Sequence, residues 1–226
     1  MITQNPNISL KGKVAFISGA SKGIGVSIAE LFAVAGCDLA LTARNEQELD
    51  QTAKNARKAG VNVWTQTAEM SDADEVKAVG NAALAEFGHI DILVNNAGVT
   101  IPQLILETTL ENFQTIINVN VLAPFLLTQI FAPSMIAKKQ GKIVNVTSRA
   151  AIRAFPTGSV YSASKGALQL LTQSMAVEFG PHNIQTNSVA PTVTMTPMGD
   201  NAWPPSPRRD AKLAKIPTGR FAEPEE

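Results

Sequence analysis

Strand-like apolar runs alternate with helix-period segments along most of this chain. That predicts an α/β fold, a doubly wound parallel sheet with helices on both faces. Three observations carry the prediction. The first apolar run leads straight into a glycine-rich turn and then a helical pattern. The same order of strand and helix recurs until a sixth strand at residues 184–190. The length, 226 residues of which 45% are hydrophobic, suits a single domain, 1–226, with a sizeable core.

The first strand is residues 14–18, a short run read as buried. Gly19-Ala20-Ser21-Lys22-Gly23-Ile24-Gly25 follows at once. Ile24, Ile28, Leu31 and Phe32 then repeat at helical spacing until Gly36, a helix stop. A glycine-rich turn between strand and helix lets backbone approach a diphosphate, and the helix end offers free N–H groups and a positive dipole. The spacing is Gly-x-x-x-Gly-x-Gly rather than Gly-x-Gly-x-x-Gly. The plainer alternative is a glycine-rich surface turn.

Residues 38–42 are the second strand. Asp38 stands at its start, whereas ligands of such sheets sit beyond the carboxyl ends. At the carboxyl end the chain reads Ala43-Arg44. An acid there would hold the ribose 2′-hydroxyl of NAD, while a basic residue suits the 2′-phosphate of NADP(H). Lys22 in the glycine turn offers a second positive charge. Both could equally be ordinary solvated cations.

A polar helix at 46–59, a strand at 61–67, a helix at 72–87 and a strand at 90–94 follow. Residues 111–139 form a long helical stretch, expected to bend or break near Pro124 and Pro133. Residues 142–147 are the fifth strand, 159–179 a helix and 184–190 the sixth strand. Residues 203–207 are proline-rich and read as loop. Pro224 reads as a helix start.

Composition bounds the function. Net charge is zero, so neither nucleic acid nor an anionic membrane is an expected partner. The single cysteine, Cys37, excludes an intrachain disulfide and suits a reducing cytoplasm. The first residues lack a basic segment before an apolar run, so no signal peptide is expected. No apolar run reads as long enough to span a bilayer. Cys37, His89 and His182 cannot make a typical zinc site, and no metal is expected.

The lone tyrosine, Tyr161, is followed at i+4 by Lys165. On a helix this spacing sets the two on one face, with Cβ atoms about 5–6 Å apart. A free phenol titrates near ~10, and a nearby ammonium lowers that value. Such a phenol can give a proton to a developing alkoxide and take it back. Tyrosine and lysine also fall four apart by chance, so the pair gains weight only beside the nucleotide signature.

Taken together, these motifs resemble the short-chain dehydrogenases/reductases over nearly the whole chain, with a Rossmann fold implied. The glycine motif resembles residues 19–25, and the fourth-strand motif Asn95-Asn96-Ala97-Gly98. The resemblance implies that Asn120, Ser148, Tyr161 and Lys165 are catalytic: Ser148 and Tyr161 hold the carbonyl, and Tyr161 donates the proton as hydride arrives from the nicotinamide. It implies that Lys165 lowers the Tyr161 pKa and holds the nicotinamide ribose, and that Asn120 positions a water. Cofactor contacts implied are Gly19, Ser21, Lys22, Gly23, Ile24, Gly25, Arg44, Glu69, Met70, Asn96, Ala97, Gly98, Tyr161, Lys165, Pro191, Thr194 and Thr196. Glu69 replaces the usual aspartate on the adenine side. Pro191-Thr192 replaces the usual Pro-Gly and resembles the xylulose reductase and carbonyl reductase branch. Relative to the family pattern, a C-terminal helix and last strand are missing, and a homotetramer is implied.

By the same analogy Thr100, Ile101, Arg149, Arg153, Phe155, Thr192, Met195, Met198 and Trp203 line the substrate cleft, with residues 192–215 as its loop region. The expectation is a cytoplasmic NADP(H)-dependent oxidoreductase acting on the carbonyl of a sugar, polyol or small ketone. A 3-oxoacyl thioester reductase and a catalytically silent NADP(H)-binding protein are the alternatives.

Overall fold

A computed structural model describes residues 8–226, so the reading of the first seven residues lies outside it. Six parallel strands, β1 (Val14–Ser18), β2 (Asp38–Ala43), β3 (Val63–Thr67), β4 (Ile92–Asn95), β5 (Gly141–Val146) and β6 (Ile184–Val189), form one sheet in the order β3-β2-β1-β4-β5-β6. The chain builds outward from β1 to β3, returns to place β4 beside β1, and builds the other way. Between β1 and β4, beyond the carboxyl ends, this order opens a crevice.

Alternation along each strand feeds two layers. Val14 and Phe16 face helices α3 (Ala73–Phe87) and α5 (Ala123–Lys138), in a core with Val76, Leu127, Phe131 and Ile143. Ala15 and Ile17 face α1 (Ile24–Val34) and α2 (Glu46–Arg57), against Ala29, Ala33, Leu49 and Ala53. The small residues of that second layer let α1 lie close to the sheet, which sets its amino end directly behind the glycine turn.

Strand edges differ from expectation by a few residues. β4 starts at Ile92; Asp91, just before it, also accepts from the Val14 N–H through its carboxylate at 3.0 Å. β3 starts at Val63, and Asn62 is held by Asp38, which accepts from its N–H at 2.8 Å. Asp38 is thus a brace at the amino edge of the sheet.

The long helical stretch does not break at either proline. It runs as α4 (Leu110–Ile117), a π turn (Asn118–Leu122) and α5, continuing through Pro133. The irregularity lies just before Pro124, which has no N–H for the carbonyl of Asn120; the Ala123 N–H reaches back to Asn118 instead. This stretch also corrects the reading that no apolar run could span a bilayer. Leu110–Lys138 is long and apolar enough by length and composition, with mean hydropathy 1.6. Half of that apolar window is buried in the domain, where Leu127, Phe131 and Met135 fill the core.

Helix α6 (Ser159–Phe179) packs beside α4 and against β6. The expected loop at 203–207 is loop only as far as Ser206. Short helices α7 (Pro197–Ala202) and α8 (Pro207–Leu213) flank it, each opened by proline at its first position and capped by Thr196 or Ser206. Pro224 starts no helix; it lies in a single turn closed by the Glu226 N–H donating to Glu223.

Candidate active site

A cleft of about 1230 Å³ runs along the carboxyl edge of the sheet. Its first wall is the glycine turn. Gly19 has φ 68, and a Cβ there would lie 2.9 Å from the Ala97 Cα. A Cβ on Gly25 would sit 2.2 Å from the Gly19 carbonyl oxygen, so only glycine lets the turn close on itself. Asn96 clamps the turn from β4, its side-chain amide donating to the carbonyls of Ser18 and Gly19, both at 3.0 Å. The Ser18 hydroxyl in return accepts from the N–H groups of Asn96 and Ala97. The α1 amino end has no side-chain cap, so its N–H groups are left for a ligand.

At the ends of β2 and β3 lie Arg44 and Glu69. The Arg44 guanidinium is 3.5 Å from the Glu69 carboxylate, and Lys22 is 2.7 Å from Glu48. Both cations expected to meet a 2′-phosphate therefore hold protein carboxylates. These are exposed pairs, worth at most about 1 kcal/mol each, and a phosphate can compete for them. An uncapped helix end, a glycine backbone and two cations suit the diphosphate and 2′-phosphate of NADP(H).

The other end holds the reactive side chains. Ser148 follows β5 and opens a short helical turn by accepting from the Ala150 N–H at 3.0 Å. Its side chain lines the same cleft as Tyr161 on α6. Lys165 is fully buried, donates to the Val146 carbonyl at 2.8 Å, and lies 5.9 Å from the Tyr161 ring centre. Burial pulls its ammonium down to about 8. Burial also pushes the Tyr161 phenol above its ordinary value, with the nearby Ser148 hydroxyl opposing. The expected lowering by Lys165 is thereby corrected. The ammonium is held at a backbone carbonyl, and desolvation of the phenolate is the larger effect.

Asn120 does not line the cleft. It is buried in the π turn, donating to the Val99 carbonyl at 3.0 Å and to Ser164 at 2.9 Å, and accepting from the Val99 N–H at 2.9 Å. It props the segment after β4. A Cβ on Gly98 would lie 3.2 Å from the Lys165 Nζ and 3.4 Å from the Asn120 Oδ1, so the two side chains converge behind that glycine.

The remaining expected cofactor residues, Ser21, Gly23, Ile24, Met70, Ala97, Pro191, Thr194 and Thr196, all line the cleft, and Gly25 alone lies behind it. Among the expected substrate residues, Thr100, Arg149, Phe155, Thr192, Met198 and Trp203 line it. Ile101, Arg153 and Met195 do not. Ile101 alternates away between Thr100 and Pro102, Arg153 is exposed on the outer loop, and the Met195 sulfur faces Arg209 at 4.0 Å. Arg208 and Lys212 line the cleft without having been expected. Their i,i+4 spacing after the Ser206-Pro207 helix start was the signal available. Among the described residues no group of three or more His, Cys, Asp or Glu side chains could hold a metal ion.

Comparison with known proteins gives the same picture. The family model of the short chain dehydrogenase matches residues 13–206. The L-xylulose reductase of Bos taurus is 40% identical over 218 residues, covering 96% of this chain and 86% of that protein. A 3-oxoacyl-acyl-carrier-protein reductase of Thermotoga maritima is 37% identical over 217 residues, covering 96% and 87%. A solved structure from Beutenbergia cavernae, described as a candidate NAD(P)-dependent gluconate 5-dehydrogenase with NADP bound at low occupancy, superposes with a TM-score of 0.91 at 29% identity, covering 96% and 86%. With its glycine turn, six-stranded order and Ser148–Tyr161–Lys165 cluster in one cleft, the chain belongs to the short-chain dehydrogenase family of oxidoreductases.

Proposed function

We propose that the protein is an NADP(H)-dependent oxidoreductase that interconverts a carbonyl compound, a sugar, polyol or small ketone, with its secondary alcohol. One observation carries this reading. Ser148 and Tyr161 line the same cleft that also carries Lys22 and Arg44. A bound nicotinamide dinucleotide supplies or accepts the hydride.

The chain's own residues do the rest. Ser148 and Tyr161 donate to the substrate oxygen, so charge that develops there meets donors already in place. Tyr161, kept protonated at neutral pH by burial, gives its proton to that oxygen during reduction. In oxidation it must first lose that proton, which burial of the phenol opposes. Asn120 acts through the backbone of Val99, holding the wall opposite Tyr161.

Exposed apolar side chains on neighbouring helices, Leu110 and Phe113 on α4 with Leu170 and Val177 on α6, support a homotetramer in solution. A reducing cytoplasm suits the lone thiol of Cys37, which burial and the neighbouring acids push up to about 12 and leave inert.

The test is NADPH oxidation with ketoses, diketones and 3-oxoacyl thioesters. Turnover of a ketose or diketone is expected. Thioester turnover alone would favour the second reading, which the similarity to the Thermotoga protein supports. NADPH binding without turnover of any of them would sink the enzyme reading.

A further inference from the structure

The charges along the cleft are sorted unevenly. Its only carboxylates, Glu48 and Glu69, lie at the β2 and β3 end, where Lys22 and Arg44 pair with them. At the Tyr161 end the lining includes Arg149, Arg208 and Lys212 and no carboxylate. Among the described residues none of these three cations is in a salt bridge. Asp200 on α7 and Asp210 on α8 line no part of the cleft.

The cations are also held in place. The Arg208 guanidinium lies 4.6 Å from the Trp203 ring centre and the Lys212 ammonium 5.6 Å from the same ring. One indole thus gathers two side chains that would otherwise wave in solvent, and aims both at the cleft. Burial, and then repulsion from Arg149, Arg153 and Lys215, pulls the Lys212 ammonium below its ordinary value. Like charges brought together without a counter-charge are costly, and a bound anion relieves that cost.

Building on the carbonyl-reductase reading above, we infer that the natural substrate is itself an anion. It is a small oxo or hydroxy compound whose reacting carbon sits at Ser148 and Tyr161 and whose carboxylate or phosphate, a few carbons away, is received by Arg149, Arg208 and Lys212. This narrows the substrate from sugars and polyols at large to sugar acids or sugar phosphates. A guanidinium pair suits either group, since both offer two oxygens to a planar fork.

Binding and turnover test this separately. Calorimetry on the full chain with NADP present, titrating a sugar carboxylate, a sugar phosphate and the matched neutral sugar alcohol, should give at least ~10-fold tighter binding of one anion, as a single charge-assisted contact allows. Whichever anion wins identifies the group. Arg208→Gln and Lys212→Gln should each cut the anion-to-neutral preference about tenfold, mainly in KM rather than kcat. Rising salt should erode the same preference.

Equal binding of neutral and anionic compounds would overturn the inference. So would variants that weaken NADPH instead, because the cations would then belong to the cofactor. Selective anion binding without turnover of any carbonyl would uphold the anion site while refuting the proposed reaction. Turnover that favours neutral sugars would do the reverse.

Discussion

The two edges of the one sheet invite comparison. At the amino edge, polar groups are satisfied by the protein itself. Asp38 accepts from the backbone and side chain of Asn62, Asp91 from the Val14 N–H, and the Cys37 thiol faces the Lys13 carbonyl. At the carboxyl edge polar and charged groups line a cleft instead. The α1 end is uncapped, the Arg44 and Lys22 pairs are open to solvent, and Lys165 is held in a charged state that burial makes costly. An acid at one edge of β2 is a brace, and a cation just beyond the other edge faces the cleft.

Substitutions at the two edges should therefore fail differently. Lys165→Met should have the largest effect, and in two directions at once. Activity should collapse, while the fold gains up to about 3 kcal/mol near neutral pH, because a buried ammonium is removed. The native pKa is depressed, so the unfolded chain holds this proton up to pH ~10.5 while the native chain loses it near 8. The burial cost is full below pH 8 and fades above it, so the gain in the variant should shrink as pH rises toward 10. Denaturant titrations at pH 7 and pH 9.5 check this; a variant less stable at both would mean that the Val146 contact outweighs the buried charge.

Tyr161→Phe keeps the ring and removes the proton donor. Turnover should fall at least ~100-fold with NADPH affinity and melting temperature nearly unchanged. Near-normal turnover would take Tyr161 out of the chemistry.

The cofactor end should be more forgiving. NADPH should exceed NADH in kcat/KM by about tenfold, rising toward a hundredfold if Lys22 leaves Glu48 for the phosphate. Ala43→Asp with Arg44→Ile should reverse the order by offering an acceptor to a 2′-hydroxyl. Equal use of both cofactors by the unmodified protein would return Arg44 to the solvated cations.

The smallest effect belongs to the amino edge. Asp38→Ala removes two hydrogen bonds at an exposed site and should cost about 1 kcal/mol of stability, with kcat, KM and cofactor preference intact. A change in cofactor preference would break the distinction between the edges.

Much of this was legible from residues alone. All six strands were, because apolar runs and the glycine turn are local signals. So was the pairing of Tyr161 and Lys165, because the two share a helix face; Ser148 joined them only through the resemblance to the short-chain dehydrogenases. What could not be read depended on surroundings. The raised Tyr161 pKa needs the burial of the phenol, which no spacing reveals. Asn120 was expected at the reacting centre, yet its amide is occupied by Val99 and Ser164. Arg208 and Lys212 lie within the 192–215 region expected at the cleft but were not singled out there, and only the folding of α8 beside Trp203 brings them to its lining.

The π turn at Asn118–Leu122 has a consequence for how this chain can change. It holds one residue more than a regular helix needs, and each helical residue turns the chain by about 100°. Deleting a single residue there would rotate the part of Leu110–Lys138 before it by about 100° relative to the part after it, with Pro124 still lacking its N–H. Either the Leu127–Phe131–Met135 stripe or Asn120 would then face the wrong way. Because the stripe anchors the core, the deletion would keep the stripe in register and rotate Asn120 away from Val99. The turn is thus a length marker in the gene. Insertions and deletions should be tolerated in the loops on either side of this helix and selected against within these five codons, even where the resulting protein still folds.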